Sequence, residues 1–257
     1  EACSVDQYET EVRKRLQTMS QDADLESAAK AFLEASIVAQ YSYNFNWLGV
    51  PIIQYPQDIM ALQEIVWQVR PDVIVETGIA RGGSLSLSAS LLALLDLSET
   101  EATGQQVSSK RRVIGVDIDI RPHTRQAIDK HPFKNRITMI EGSSVDTDVI
   151  ASVRRAVGDA KTVLVCLDSH HGHDHVLQEL EAYAPLVSVG SYCIVFDTII
   201  DDLEDSLLFD RPWGPGDNPK TAVEFWLKNH NEFEINKELN HKLQVTVAKD
   251  GYLIRKK

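Results

Sequence analysis

Apolar residues recur at helical spacing between Val5 and Tyr41, where Leu25, Ala28, Ala29, Phe32, Leu33 and Ile37 sit among charges. That spacing predicts two amphipathic helices ahead of the main domain. The stretch "YSYNFNWLGVPIIQYP" breaks the period and reads as an aromatic-rich loop over a site or the core. Pro56 then opens the helix "PQDIMALQEIVWQVR", since a first-turn proline loses no intrahelical bond. Beyond it the pattern changes to short continuous apolar runs separated by helical stretches. "DVIVETG", "RRVIGVDID", "RITMIEGS", "TVLVCLDS" and "GSYCIVFDT" read as strands. "SLSLSASLLALL", "RPHTRQAIDK", "DVIASVRRAVG" and "VLQELEAYAPLV" read as the helices between them. Such alternation predicts an open, mostly parallel sheet covered on both faces. After Asp201 an acidic, turn-rich segment leads to the helix "AVEFWLKNH" and two further strand-like segments, "KLQVTVAK" and "GYLIRK". The segment around Trp213 is long for a connection, as a lid or binding loop would be. The expected fold is therefore α/β, a doubly wound, mostly parallel seven-stranded sheet with an N-terminal helical extension. Residues 1–55 form the extension and 56–257 the domain.

Composition narrows the function. At 257 residues the chain can bury a proper core. Its 26 Lys and Arg against 38 Asp and Glu give a net charge of −12, which disfavours nucleic acid and anionic lipid as partners. Cys3, Cys166 and Cys193 fit neither a disulfide framework nor a zinc spacing, so a reducing cytoplasm is the expected compartment. No apolar stretch reaches the length of a membrane span and no signal pattern is present, so the chain reads as soluble.

In a doubly wound sheet, ligands bind beyond the carboxyl ends of the strands. Four of the five central runs end in or near an acid: Glu76, Asp117, Asp168 and Asp197. In "VETGIARGGSLS", Gly78, Gly82 and Gly83 permit close backbone approach to a ligand, and Ser84 begins a helix with free amides. The spacing is not the dinucleotide fingerprint, which argues against a nicotinamide cofactor. It is similar to the first motif of class I S-adenosylmethionine (SAM) methyltransferases, and Arg81 falls within the same candidate cofactor loop. Asp117 can accept hydrogen bonds from a ribose diol, with Asp119 as a helix cap. Ser143 and Ser144 leave room for adenine or cap the next helix. Asp168 and Asp197 converge at the top of the sheet, where two hard oxygens suit Mg²⁺ and Thr198 adds a hydroxyl. In "DSHHGHDH" three readings stay open. His171 and His175 could face each other in a zinc or iron site; His171 could be a general base beside the metal; or the histidines could be polar residues at a helix start.

Together, "NWLGVPIIQYPQDIMALQEIVWQVRPDVIVETGIARGGS", "LDSHHGHDHVLQELEAYAPLVSVGSYCIVFDT" and "RPWGPGDNPKTAVEFWL" resemble the cephalosporin hydroxylase family, a branch of class I methyltransferases that includes rhamnosyl and macrolide-sugar O-methyltransferases. The resemblance implies SAM held at Glu76, Gly78, Gly82, Gly83 and Asp117, Mg²⁺ at the strand-end acids, His171 as base, and a homo-oligomer. Phe196 departs from the pattern, standing where such members carry Glu. The ion would then take a ligand from Thr198, Asp201 or Asp202, bind weakly, or be absent. The expected activity is methylation of a hydroxyl on a small-molecule or glycan acceptor, with Trp213, Tyr43 and Trp47 as candidate aromatic walls. A cofactor-binding accessory protein partnering a hydroxylase is the alternative.

Overall fold

The computed structural model describes residues 5–107, 110–208 and 211–257; Cys3 lies outside them. Two helices, α1 (Val5–Met19) and α2 (Ala23–Val38), come first, the second capped by the Asp22 carboxylate accepting from Leu25 N–H. The segment expected as a plain loop contains a hairpin, β1 (Phe45–Trp47) and β2 (Val50–Ile52). Its two-residue turn places Leu48 and Gly49 at φ 47° and 86°, the left-handed pair that matches strand twist. Only three residues long, these strands carry too little alternation to stand out from a loop.

The domain then alternates as expected through α3 (Pro56–Val69), β3 (Val73–Thr77), α4 (Gly83–Thr103), β4 (Arg112–Asp117), α5 (Pro122–Asp129), β5 (Ile137–Glu141), α6 (Thr147–Val157), β6 (Val163–Leu167), α7 (His173–Tyr183) and β7 (Tyr192–Val195). It closes with α8 (Pro219–Trp226), β8 (Phe233–Ile235), α9 (Lys237–Leu243) and β9 (Tyr252–Arg255). The seven-stranded sheet has the order β5-β4-β3-β6-β7-β9-β8, with β9 antiparallel to both β7 and β8 and the rest parallel. Every residue of β3, β6 and β7 is buried, which is why these strands read as unbroken apolar runs.

Side chains alternate between two cores. Ile74, Leu164 and Ile194 pack toward α3, α4 and α9; Val73, Val75, Val165 and Cys193 pack toward α6, α7 and α8. A third cluster joins Ala29 and Leu33 of α2 to Tyr55, Ile199, Leu203 and Val245, so α2 docks beside the carboxyl end of the sheet. Ser36 and Tyr55 hydroxyls, 2.7 Å apart, tie that contact.

One expected strand is corrected. Lys242 and Leu243 of "KLQVTVAK" belong to α9 or its end, and Thr246–Val247 is irregular backbone; the seventh strand is β8 instead. The cause is Asp58 of α3, whose buried carboxylate accepts from Val247 N–H at 3.1 Å, Thr246 Oγ1 and Tyr252 Oη at 2.7 Å. These bonds satisfy Val247 N–H and the Thr246 hydroxyl without a sheet neighbour, and the Val247 carbonyl accepts from Ile199 N–H. Burial pushes the Asp58 carboxyl up to about 6, against the pull of those donors.

Among the described residues no helix is long and apolar enough to cross a membrane. Cys166 and Cys193 are buried free thiols.

Candidate active site

Of the strand-end acids, Asp168 and Asp197 border a cavity of about 700 Å³ at the carboxyl edge of β3, β6 and β7. One wall is the turn from β3 to α4, where Gly78, Arg81, Gly83 and Ser84 line the cavity, and Asp168, His171 and Asp197 form another. Two glycines are required by contact. A Cβ on Gly78, at φ 89°, would lie 2.0 Å from the Asp168 carbonyl oxygen, and one on Gly83 would lie 2.3 Å from that of Pro51. The turn therefore passes directly against the Asp168 backbone and the hairpin.

Glu76 lies behind this turn, buried, and accepts from Ser84 Oγ. Burial pushes its carboxyl up to about 7, with the Ser84 bond opposing. Gly82 is the N-cap of α4 at φ 88° and packs against Ile128. Asp117 is outside the cavity wall. Its Oδ2 accepts from Ile79 N–H at 2.8 Å and Ala80 N–H at 3.1 Å, and its Oδ1 from Asp119 N–H at 3.1 Å, so it shapes the glycine turn. Arg81 Nη1 is 2.9 Å from His123 Nε2. Ser143 and Ser144 do not line the cavity, and the capping expected of them is corrected: Asp146 caps α6, while Ser144 Oγ lies 3.0 Å from His175 Nε2. Asp119 is likewise no cap, since Arg121 holds the N-cap position of α5 without a side-chain bond.

Asp168, His171 and Asp197 converge, with one ligand atom from each within 4.8 Å of the others. Asp168 follows β6 with its N–H on the Thr77 carbonyl at 2.9 Å; Asp197 follows β7 in the left-handed region at φ 56°. His171 Nε2 is 3.1 Å from Asp197 Oδ2. Burial holds the Asp168 carboxyl well above the usual carboxylate range, reinforced first by Asp197 and then by Glu76, Glu179 and Asp58.

Thr198 is engaged with the backbone beside the site. Its side chain is fully buried, and its hydroxyl donates to the Val247 carbonyl at 3.3 Å. Asp201 and Asp202 are also engaged elsewhere. Asp201 Oδ1 accepts from Gly216 N–H at 3.0 Å and Asn218 Nδ2 at 2.7 Å. Asp202 pairs with Lys220 and Lys249, each at 2.8 Å, which outweigh burial and hold its carboxyl below the usual range. Phe196 is 6% exposed and belongs to the core facing α3 and α4.

The other histidines separate from His171. The helix begins only at His173, so His171 and His175 do not share a helical face, and the paired zinc or iron reading fails. His175 turns to Ser144, Ser169 and Glu179. His173 N–H donates to Asp217 Oδ1 at 2.7 Å, and His173 Nδ1 lies 2.8 Å from Thr221 Oγ1. With Asp201, these bonds pin the segment carrying Trp213, whose ring meets those of His170 and His171 edge-on at 5.0 Å. Tyr43 and Trp213 line the cavity, whereas Trp47 does not: its Nε1 donates to Ser90 Oγ at 2.9 Å in the core.

Sequence reasoning missed Gln54. Its Nε2 donates to Asp168 Oδ2 at 3.1 Å across 114 positions, a pairing no local pattern announces.

The family model described as Rhamnosyl O-methyltransferase/CmcI matches residues 39–256. The rhamnosyl O-methyltransferase of Mycobacterium tuberculosis (strain ATCC 25618 / H37Rv) is 26% identical over 217 residues, covering 82% of this chain and 78% of its own length. That of Mycobacterium leprae (strain TN) is 27% identical over 218 residues, covering 82% and 83%. A solved CmcI structure with Mg and SAM superposes with a TM-score of 0.54 at 18% identity, over 83% of this chain and 77% of that one, a likeness of fold.

Proposed function

The chain belongs to the rhamnosyl O-methyltransferase/CmcI family, and with it to the SAM-dependent O-methyltransferases; on that premise we propose that it methylates, with a divalent ion, a hydroxyl of a sugar, a glycosylated natural product or a surface polysaccharide. The observation that carries this reading is the convergence of Asp168, His171 and Asp197 on the cavity that the glycine turn also lines. The mycobacterial relatives are rhamnosyl O-methyltransferases, and the CmcI structure holds Mg and SAM, which supports this reading.

Asp168 and Asp197 are the residues that would hold the ion. Two crowded carboxylates, one of them with its pKa pushed up by burial and by the other, are a donor set that a hard divalent cation relieves. When bound, such an ion supplies Lewis acidity that lowers the pKa of a coordinated hydroxyl. His171 takes the acceptor's proton. With Nε2–H donated to Asp197, Nδ1 is the basic nitrogen, and the carboxylate stabilises the imidazolium that forms. The backbone of Gly78 and Gly83 orients the methyl donor, and Tyr43 and Trp213 wall the acceptor side. A cavity of about 700 Å³ is of the size that holds small-molecule ligands, and rate comes chiefly from positioning the two reactants.

A second role for His171, as a third ion ligand, is favoured by the proximity of all three donor atoms. The test is label transfer from SAM to a panel of glycans with and without Mg²⁺. His171→Ala is expected to lower turnover by about 10² to 10⁴; unchanged ion affinity in that variant assigns it as base, and lost affinity as ligand. Full turnover in both His171→Ala and Asp168→Ala would overturn the mechanism.

A further inference from the structure

Beneath the main cavity lies a void of about 20 Å³, bordered by Gln54, Asp58, Glu76, Ser84, Asp168 and Phe196 among others. It shares Gln54, Ser84 and Asp168 with the cavity above. Its size suits one water or one ammonium group. Its polar border is rich in acceptors. Asp58 is satisfied by three donors, but among the described residues Glu76 receives only Ser84 Oγ and Asp168 only Gln54 Nε2 as side-chain donors to their carboxylates. Gln54 is 8% exposed, and its Oε1 is buried without a hydrogen-bond partner among the described residues. An orphaned buried carbonyl costs free energy unless a ligand or water donates to it.

Acceptors from Gln54, Glu76 and Asp168 around a space of this size describe a site for a primary ammonium, which brings three N–H donors and a compensating charge. SAM carries such a group at its amino acid end. We propose that Gln54 is a cofactor-binding residue: its Oε1 accepts an N–H from the cofactor's α-ammonium while its Nε2 holds Asp168 in place. The proposal rests on the reading that the chain binds SAM. It also explains the role of the segment after β2, which delivers Gln54 over the glycine turn.

The test is calorimetric and needs no acceptor. S-adenosylhomocysteine, its deaminated analogue and methylthioadenosine are titrated into the full chain, wild type, Gln54→Met and Gln54→Glu. Wild type is expected to prefer S-adenosylhomocysteine over the deaminated analogue by about tenfold or more, as a hydrogen bond to a charged group requires. Gln54→Met should shrink that preference to about threefold or less while leaving methylthioadenosine affinity unchanged. Gln54→Glu, which keeps a carbonyl oxygen in place, should restore the preference and serves where the Met variant fails to fold. A full preference retained in Gln54→Met, equal losses for all three ligands, or failure of Gln54→Glu to restore it overturns the proposal. Wild type binding none of the three overturns the cofactor reading itself.

Discussion

Two carboxylates at the same rim of the sheet live in opposite circumstances. Asp117, at the end of β4, accepts three backbone N–H bonds and thereby fixes the glycine turn. Asp168, at the end of β6, accepts one from Gln54 and faces Asp197, with its carboxyl held well above the usual range by burial and that neighbour. Position at a strand end made both candidates for ligand chemistry. Pairing separates them: a carboxylate saturated by backbone donors builds structure, and a crowded one short of donors calls for a cation.

The largest effects should fall on the crowded side. Asp168→Asn and Asp197→Asn are each expected to lower methyl transfer by about a hundredfold to a thousandfold. Yet Asp168→Asn should stabilise the ion-free protein near neutral pH, because it removes a buried group that the fold prefers protonated. Thermal melting in chelator, alongside turnover, checks both; a fall in melting temperature would erase the contrast.

Glu76 sharpens it from within. Its carboxyl titrates near 7 in the fold against 4.5 unperturbed. The stability linked to it is present below the unfolded value and lost as pH rises through 7. Glu76→Gln should therefore raise the unfolding free energy by about 3 kcal/mol above pH 7 and by nothing near pH 4. Denaturant titrations at the two pH values would show it.

On the saturated side, Asp117→Asn should cost about 2 kcal/mol, since the new amide must place a donor against a backbone donor. Cofactor affinity should fall with it through the loosened turn, while affinity for the ion stays unchanged. Smallest of all, Thr198→Val should cost about 1 kcal/mol through the lost bond to the Val247 carbonyl, with ion binding intact. Weakened ion binding there would return Thr198 to the ligand set.

The legibility of the chain follows the same division. Strands β3, β4, β6 and β7 were readable because burial on both faces forces continuous apolar runs, and their ends located Glu76, Asp117, Asp168 and Asp197. The triplet strands of the hairpin were too short to show a period. "KLQVTVAK" has a strand's composition, but Asp58, nearly two hundred positions away, takes its polar groups. Gln54 was hidden for the same reason. Sequence shows which residues have the chemistry for a site; only the fold shows whose oxygens are already engaged, as at Thr198, Asp201 and Asp202.

The most direct measurement is a calorimetric titration of Mn²⁺ into chelator-treated protein in the presence of S-adenosylhomocysteine, for the wild type, Asp168→Asn, Asp197→Asn and Asp201→Asn. The expected result is one ion bound by wild type and by Asp201→Asn, and none by the other two. Binding that survives both Asp168→Asn and Asp197→Asn, or no binding to wild type, would contradict the assignment of these two carboxylates as the metal site.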